Sequence, residues 1–121
     1  MEKHFIVHEI GLLQSFHSKN ELRQSTARKA IVIIESIKKN AKKLVDVDAE
    51  NIMNPTLDGD VYIISEKSAQ IAAYFILAKD IIYVYGAFKD VCVKKIYDDA
   101  IAIGATAYIV PDGSMDTECG F

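Results

Sequence analysis

Two histidines near the start of the chain, His4 and His8, are the first side chains that could do chemistry. Histidines four residues apart are neighbours on a helix, where they can bind one metal ion together. The segment over residues 4–10 instead predicts a strand, because it is rich in β-branched and aromatic residues. On a strand, four residues span about 13 Å, which is too far for one ion. We therefore predict no metal site here.

The acidic residues Asp46, Asp48 and Glu50 resemble the start of a calcium-binding loop. Such a loop needs a glycine at its sixth position and a bidentate glutamate at its twelfth. This sequence has Asn51 and Leu57 at those two positions. The pattern therefore fails, and we predict a solvated acidic loop.

The two cysteines offer no recognisable nucleophile. Cys92 falls in the first turn of a predicted helix, where the helix dipole can lower a thiol pKa, but the neighbouring Asp90 opposes a thiolate. Cys119 has no base near it in sequence. The chain also carries no nucleophile turn and no glycine-rich phosphate loop. We predict no catalytic residue and no cofactor, and the sequence favours a protein that is not an enzyme.

Composition narrows the class of protein further. The 121 residues match the usual size of one domain, so we predict a single domain over residues 1–121. The net charge is −3, and this lack of a basic excess argues against a nucleic-acid partner. No apolar run is long enough to span a membrane. Two unpaired cysteines and no visible signal peptide predict a cytoplasmic protein.

The elements that must position any site follow from hydrophobic periodicity. Ser18 and Glu21 form a predicted capping box before a long amphipathic helix, and Asp90 is the predicted N-cap of a second helix that Gly104 ends. The predicted elements are a strand 4–10, a helical turn near residue 16, the long helix to residue 44, a loop 46–60, strands 61–65, 71–78 and 81–88, the helix 90–104 and a strand 105–110.

We expect strands 71–78 and 81–88 to form a β-hairpin around Lys79 and Asp80. A turn at 111–114 leaves open whether residues 115–121 return as one more strand. The predicted fold is α+β, with a mixed, mostly antiparallel sheet of five or six strands. Its element order is β-α-α-β-β-β-α-β, with an optional final β, and one long and one shorter helix pack on one face.

One side of this predicted hairpin is apolar and carries phenol groups. Alternation places Tyr74, Tyr83 and Tyr85 there, flanked by Ile76 and Ile81. Tyrosine offers a large contact area with a polar tip, which suits interfaces and ligand clefts. We predict a non-catalytic binding module that acts as a homodimer, or contacts a protein partner, through this face. The alternatives are that these side chains belong to the core, or that they line a cleft for a small molecule.

The order of elements resembles that of the GNAT acetyltransferases. Residues 81–85 stand where that family has its acyl-CoA-binding strand, residues 90–104 stand at its pyrophosphate-binding helix, and residues 118–121 resemble its closing Gly-Phe. The family places an Arg or Gln and two glycines before that helix, whereas residues 87–93 contain no glycine. The resemblance therefore implies a degenerate relative that lacks the acyl-CoA pyrophosphate motif, with a genuine acyl-CoA-dependent N-acyltransferase as the alternative function.

Overall fold

A computed structural model describes residues 1–117, apart from the side chains of Asn51 and Glu66. The predicted strand over residues 115–121 lies largely outside this part of the chain. The elements are β1 (Glu2–Val7), α1 (Glu9–Phe16), α2 (Glu21–Lys39), β2 (Leu44–Val47), β3 (Val61–Ile64), β4 (Ile81–Ala87), α3 (Cys92–Ile103) and β5 (Thr106–Met115), with 3₁₀ segments at Ala49–Met53 and Glu66–Phe75.

The five strands form one sheet in the order β2-β3-β1-β4-β5, and every neighbouring pair is parallel. The predicted mostly antiparallel sheet is therefore wrong. Each strand returns to the same end of the sheet through a helical or irregular connection, as parallel pairing requires. From β1 the chain leads to β2 at one edge of the sheet, and from β4 it leads to β5 at the other edge. The winding direction therefore reverses between the neighbouring strands β1 and β4.

The predicted hairpin fails because residues 71–78 do not form a strand. Ala69, Ala72 and Phe75 are buried and follow one another at intervals of three residues, which is the period of the 3₁₀ helix that contains them. Asp80 then ends a turn in which its carboxylate accepts the Leu77 N–H at 2.8 Å. Lys79 and Asp80 therefore lead from a helical segment into β4 instead of joining two strands.

Two apolar layers cover the two faces of the sheet, so the prediction that both helices lie on one face is wrong. The first layer is built on Phe5 and Val7 of β1, and α3 and the segment Glu66–Phe75 pack against it. The second is built on Ile6, and α1 and α2 pack against it. Alternate β1 residues thus face opposite layers, as in a doubly wound α/β domain.

Several predicted boundaries move by a few residues. Asn20, not Ser18, is the N-cap of α2, and its side chain accepts the Arg23 N–H at 3.0 Å. Asp90 is not the N-cap of α3, since that position is Val91 and no side chain caps it. Gly104 ends α3 with a φ of 100°, as the sequence predicts.

The two outer strands differ most from prediction. The predicted loop over residues 46–60 overlaps β2, which the sequence did not predict. Exposed and buried residues alternate along this short strand, which begins two residues before the predicted loop. At the other edge, the predicted turn at 111–114 lies inside β5: Ile109 pairs with Val84, and the pairing resumes at Ser114 with Gly86 after a bulge. Among residues 1–117, no helix combines the length and apolar character needed to cross a membrane.

A buried ion pair joins the beginnings of the central strands. Lys3 Nζ lies 2.6 Å from Asp80 Oδ2, and the side chains are 0% and 3% exposed. The Lys3 ammonium also donates to Phe75 O at 2.9 Å, and the Asp80 main chain accepts the Thr106 N–H at 3.1 Å. This pair therefore connects β1, the 3₁₀ segment, β4 and β5.

We expect Lys3→Met to destabilise the protein by about 3–5 kcal/mol, because it removes the buried ammonium 2.6 Å from the Asp80 carboxylate and leaves only the Met1 ammonium, at 3.6 Å, to balance this charge. Urea unfolding followed by circular dichroism measures this change. Lys94→Met is the matched control, since Lys94 forms an exposed ion pair with Asp98, and it should change stability by no more than about 0.5 kcal/mol. Similar losses in the two variants would contradict this role for the buried pair.

Gly86 lets β4 approach β1 closely. Its φ is 117°, and a Cβ there would lie 1.9 Å from Val7 O, whereas a Cβ on Gly104, with a φ of 100°, would meet only the Ala78 methyl at 3.7 Å. We expect Gly104→Ala to cost about 1–2 kcal/mol through its backbone conformation alone. Gly86→Ala should cost more than about 4 kcal/mol, because the backbone of β1 must also move. Equal unfolding midpoints in urea would refute this difference.

Candidate functional site

A row of three rings crosses the sheet on the side covered by α2. His4, Tyr83 and Tyr108 occupy equivalent positions on β1, β4 and β5. The His4 and Tyr83 rings stack with centroids 5.2 Å apart, and the Tyr83 and Tyr108 rings stack at 5.5 Å. Such cross-strand contacts stabilise neighbouring strands. The row becomes more exposed toward β5, where the side chain of Tyr108 is 52% exposed.

Tyr85 fixes the orientation of the His4 ring. Its hydroxyl lies 2.8 Å from His4 Nδ1, and burial raises the pKa of Tyr85 to about 12. The phenol is therefore neutral at physiological pH and can hydrogen-bond the imidazole. Burial also lowers the pKa of His4, against the opposing charges of Glu2 and Asp60. The ring is thus favoured in its neutral form.

The structure separates the five residues predicted to form one tyrosine face. Tyr83 and Tyr85 lie on the same side of β4, as alternation predicts, but Tyr85 is only 5% exposed. Ile76 is buried in the layer on the opposite face, and Ile81 is partly buried at the start of β4. Tyr74 is 58% exposed on the segment Glu66–Phe75. Only the β4 residues therefore belong to one aromatic surface, and Tyr108 joins them.

Among residues 1–117, no strand pairs with the outer edge of β5, and part of this edge carries no charge. The strand order ends at β5, and the sequence from Ala105 to Pro111 contains no charged residue. Because the Thr106 N–H donates to Asp80 O, alternation directs the backbone groups of Ala107 and Ile109 outward. Proteins usually protect such an edge with charges or with a covering segment. We define the stretch from Thr106 to Val110 as the β5 edge.

A shallow groove of about 440 Å³ lies beside this edge, between α2 and β5. Its floor is formed by Val32 and Ile33, and its rim carries the positive side chains of Arg28 and Lys29 and the carboxylate of Asp112. Val32 is well exposed, so the groove presents an apolar side chain of α2 to solvent. We call this feature the α2–β5 groove.

In many doubly wound proteins, ligands bind at the carboxyl ends of the strands. In this protein, side chains contact one another at that end of the sheet. The rings of His8 and Phe88 are 5.5 Å apart at the point where the winding direction reverses. Arg23 lies over Phe88 and donates to Thr117 O at 3.0 Å. Thr117 donates its N–H and its hydroxyl to Asp90, and these bonds lower the pKa of Asp90. These contacts hold Thr117 against the start of α2 and the turn before α3.

No group of three or more histidine, cysteine or carboxylate side chains within the described part of the chain could hold a metal ion. His4 lies inside β1, and His8 directly follows this strand. Cys92, at the start of α3, is half-buried. Cys119 lies outside the described residues. The open surface of β5 and α2 is therefore the most distinctive feature of the molecule.

Comparison with protein-family models, with curated proteins and with solved structures found no match. The resemblance to the GNAT acetyltransferases accordingly stays an untested prediction. In the structure, residues 81–85 lie in β4, in the interior of a parallel sheet, and the carboxylate before α3 binds Thr117.

The lowered pKa of His4 predicts a pH dependence of stability. The unfolded histidine titrates near 6.5, and the folded one at lower pH, so the unfolded state binds more protons between these values. Stability should be complete above pH 6.5 and should fall as the pH drops toward the folded pKa. Urea unfolding at several pH values should show this loss in the wild type and in His17→Gln, but not in His4→Gln. A His4 NMR titration midpoint above 6.5 would contradict the assignment.

Proposed function

We propose that the protein is a non-catalytic binding module that associates as a homodimer through the β5 edge and the adjoining α2–β5 groove. The observation that carries this proposal is the open, uncharged β5 edge with the half-exposed Tyr108 beside it. An edge of this kind is a template for another strand. A covering partner would remove unpaired backbone groups and apolar side chains from water at the same time.

A second copy of the chain is the partner that fits this surface. A two-fold axis requires each patch to be complementary to itself. The α2–β5 groove carries positive charge from Arg28 and Lys29 and negative charge from Asp112 around an apolar floor. In a two-fold arrangement, the positive rim of one copy can meet the negative rim of the other.

The geometry of association follows from the same symmetry. A two-fold axis perpendicular to the sheet brings two β5 edges together in antiparallel orientation, which joins two five-stranded sheets into one. Pro111 has no N–H to donate, so the paired stretch ends before it. Tyr108 of each copy then lies next to the junction, where a large aromatic side chain contributes most to an interface.

Analytical ultracentrifugation at micromolar concentration tests this proposal. We expect the wild type to sediment as a dimer and Tyr108→Lys to sediment as a monomer, because a lysine beside the edge introduces an unpaired charge. Tyr74→Lys is the matched control, since Tyr74 is similarly exposed, at 58% against 52% for Tyr108, on the segment Glu66–Phe75. This variant should remain dimeric.

Thr106→Lys is a second charged variant of the β5 edge. It shows whether loss of the dimer in Tyr108→Lys reflects a folding defect, because the exposed Thr106 side chain can be replaced without disturbing the core. It should also sediment as a monomer, with an unchanged circular dichroism spectrum. A monomeric wild type, or a dimer that persists in both lysine variants of β5, would refute the proposal. Loss of the dimer in Tyr74→Lys alone would place the interface on the opposite face of the sheet.

A further inference from the structure

A second, smaller cavity lies on the other half of α2, away from the β5 edge. It measures about 200 Å³ and is lined by His4, Ser36, Ile37, Asn40, Asp60 and Val61. Three of these residues belong to the last turns of α2 and its C-cap, and the others lie at the beginnings of β1 and β3. The volume is below that of pockets for drug-sized ligands, so only a small molecule can enter.

Asp60 supplies a fixed negative charge to this cavity. Its two carboxylate oxygens accept the backbone N–H groups of Lys42 at 2.8 Å and of Lys43 at 2.7 Å. Burial opposes the charged form, but these hydrogen bonds outweigh it and lower the pKa of Asp60. The carboxylate retains further lone pairs, because an ionised carboxylate can accept about four hydrogen bonds.

The remaining polar groups of the cavity are mainly acceptors. Asn40 donates its amide N–H to Ser36 O at 2.9 Å, and its amide oxygen has no hydrogen-bond donor among residues 1–117. The Ser36 hydroxyl has no partner among the described residues. His4 Nε2 has none there either, and it accepts a hydrogen bond in the tautomer whose Nδ1–H donates to the Tyr85 hydroxyl. The C-terminal end of α2 adds the negative end of the helix dipole. The cavity therefore favours a positively charged donor of hydrogen bonds.

Two lysines near the cavity are engaged with other carboxylates. The amines of Lys38 and Lys43 are directed to Glu9 at 3.2 Å and to Asp58 at 2.8 Å. None of the six lining residues is a lysine or an arginine. An incoming cation thus meets the Asp60 carboxylate without an internal competitor.

The same residues distinguish an organic cation from a metal ion. Hard metal ions such as calcium require six or more oxygen ligands, whereas only Ser36, Asn40 and Asp60 offer side-chain oxygens here. Ile37 and Val61 form apolar walls that a short alkyl group can contact. We propose that this cavity binds a small primary ammonium ion, with Asp60 as its counter-ion and Asn40, Ser36 and His4 as hydrogen-bond partners.

Titration of the isotopically labelled 121-residue chain with ethylammonium chloride, followed by ¹H–¹⁵N NMR, tests this site. We expect saturable shifts of the Asp60, Asn40 and Ser36 signals, with a dissociation constant on the order of 1 mM for so small a ligand. Tetramethylammonium and sodium chloride at equal ionic strength should produce no saturable shift, because neither donates N–H bonds.

Ser36→Leu fills the cavity from an exposed helix position and should weaken ethylammonium binding at least tenfold. Ser25→Leu, at another exposed position of α2, is the control and should bind like the wild type. No saturable shift in the wild type, equal shifts with tetramethylammonium, or unchanged binding in a folded Ser36→Leu variant would each overturn the proposal. The outcome is independent of dimer formation, because the cavity and the β5 edge share no residue.

Discussion

The buried ion pair between Lys3 and Asp80 is the interaction on which the start of the sheet depends. A lysine and an aspartate removed from water carry a large desolvation cost, which is offset only by good mutual geometry and further hydrogen bonds. Both conditions hold here, because Lys3 also reaches Phe75 O and Asp80 also accepts the Leu77 N–H. The pair therefore fixes where β4 begins relative to β1. That register in turn places Tyr83 beside His4 and Tyr108 beside Tyr83.

The sequence predicts the positions of most strands but not whether neighbouring strands run parallel or antiparallel. Alternation in residues 81–87 predicts a strand with Tyr83 and Tyr85 on one side, and the structure agrees. Alternation is the same in parallel and antiparallel strands, so it does not determine strand direction. The wrong direction came from predicting residues 71–78, which precede β4, as a strand. The spacing of Ala69, Ala72 and Phe75 favours a helix with three residues per turn. The apolar residues around them concealed that signal.

The proposed surface differs from the predicted tyrosine face in its residues. Tyr83 adjoins it by stacking on Tyr108, Tyr85 is buried, and Tyr108 was missed because residues 105–110 resemble a strand buried in the centre of a sheet. On an edge strand, the absence of charge in that run indicates a surface that can pair with another strand. Only the strand order shows that β5 lies at the edge. No pattern in the sequence predicts the small cavity that His4, Asn40 and Asp60 line. These residues are far apart in sequence and meet only because α2 crosses the sheet.

The strand order has a consequence for how the chain is made. The ribosome releases β1 before β3 and β4, yet β1 lies between these two strands in the finished sheet. One neighbour of β1 is therefore absent until β4 has been made, and such distant pairings slow folding. During that delay its apolar residues Phe5, Ile6 and Val7 have no complete sheet to join, and transiently exposed apolar residues favour aggregation.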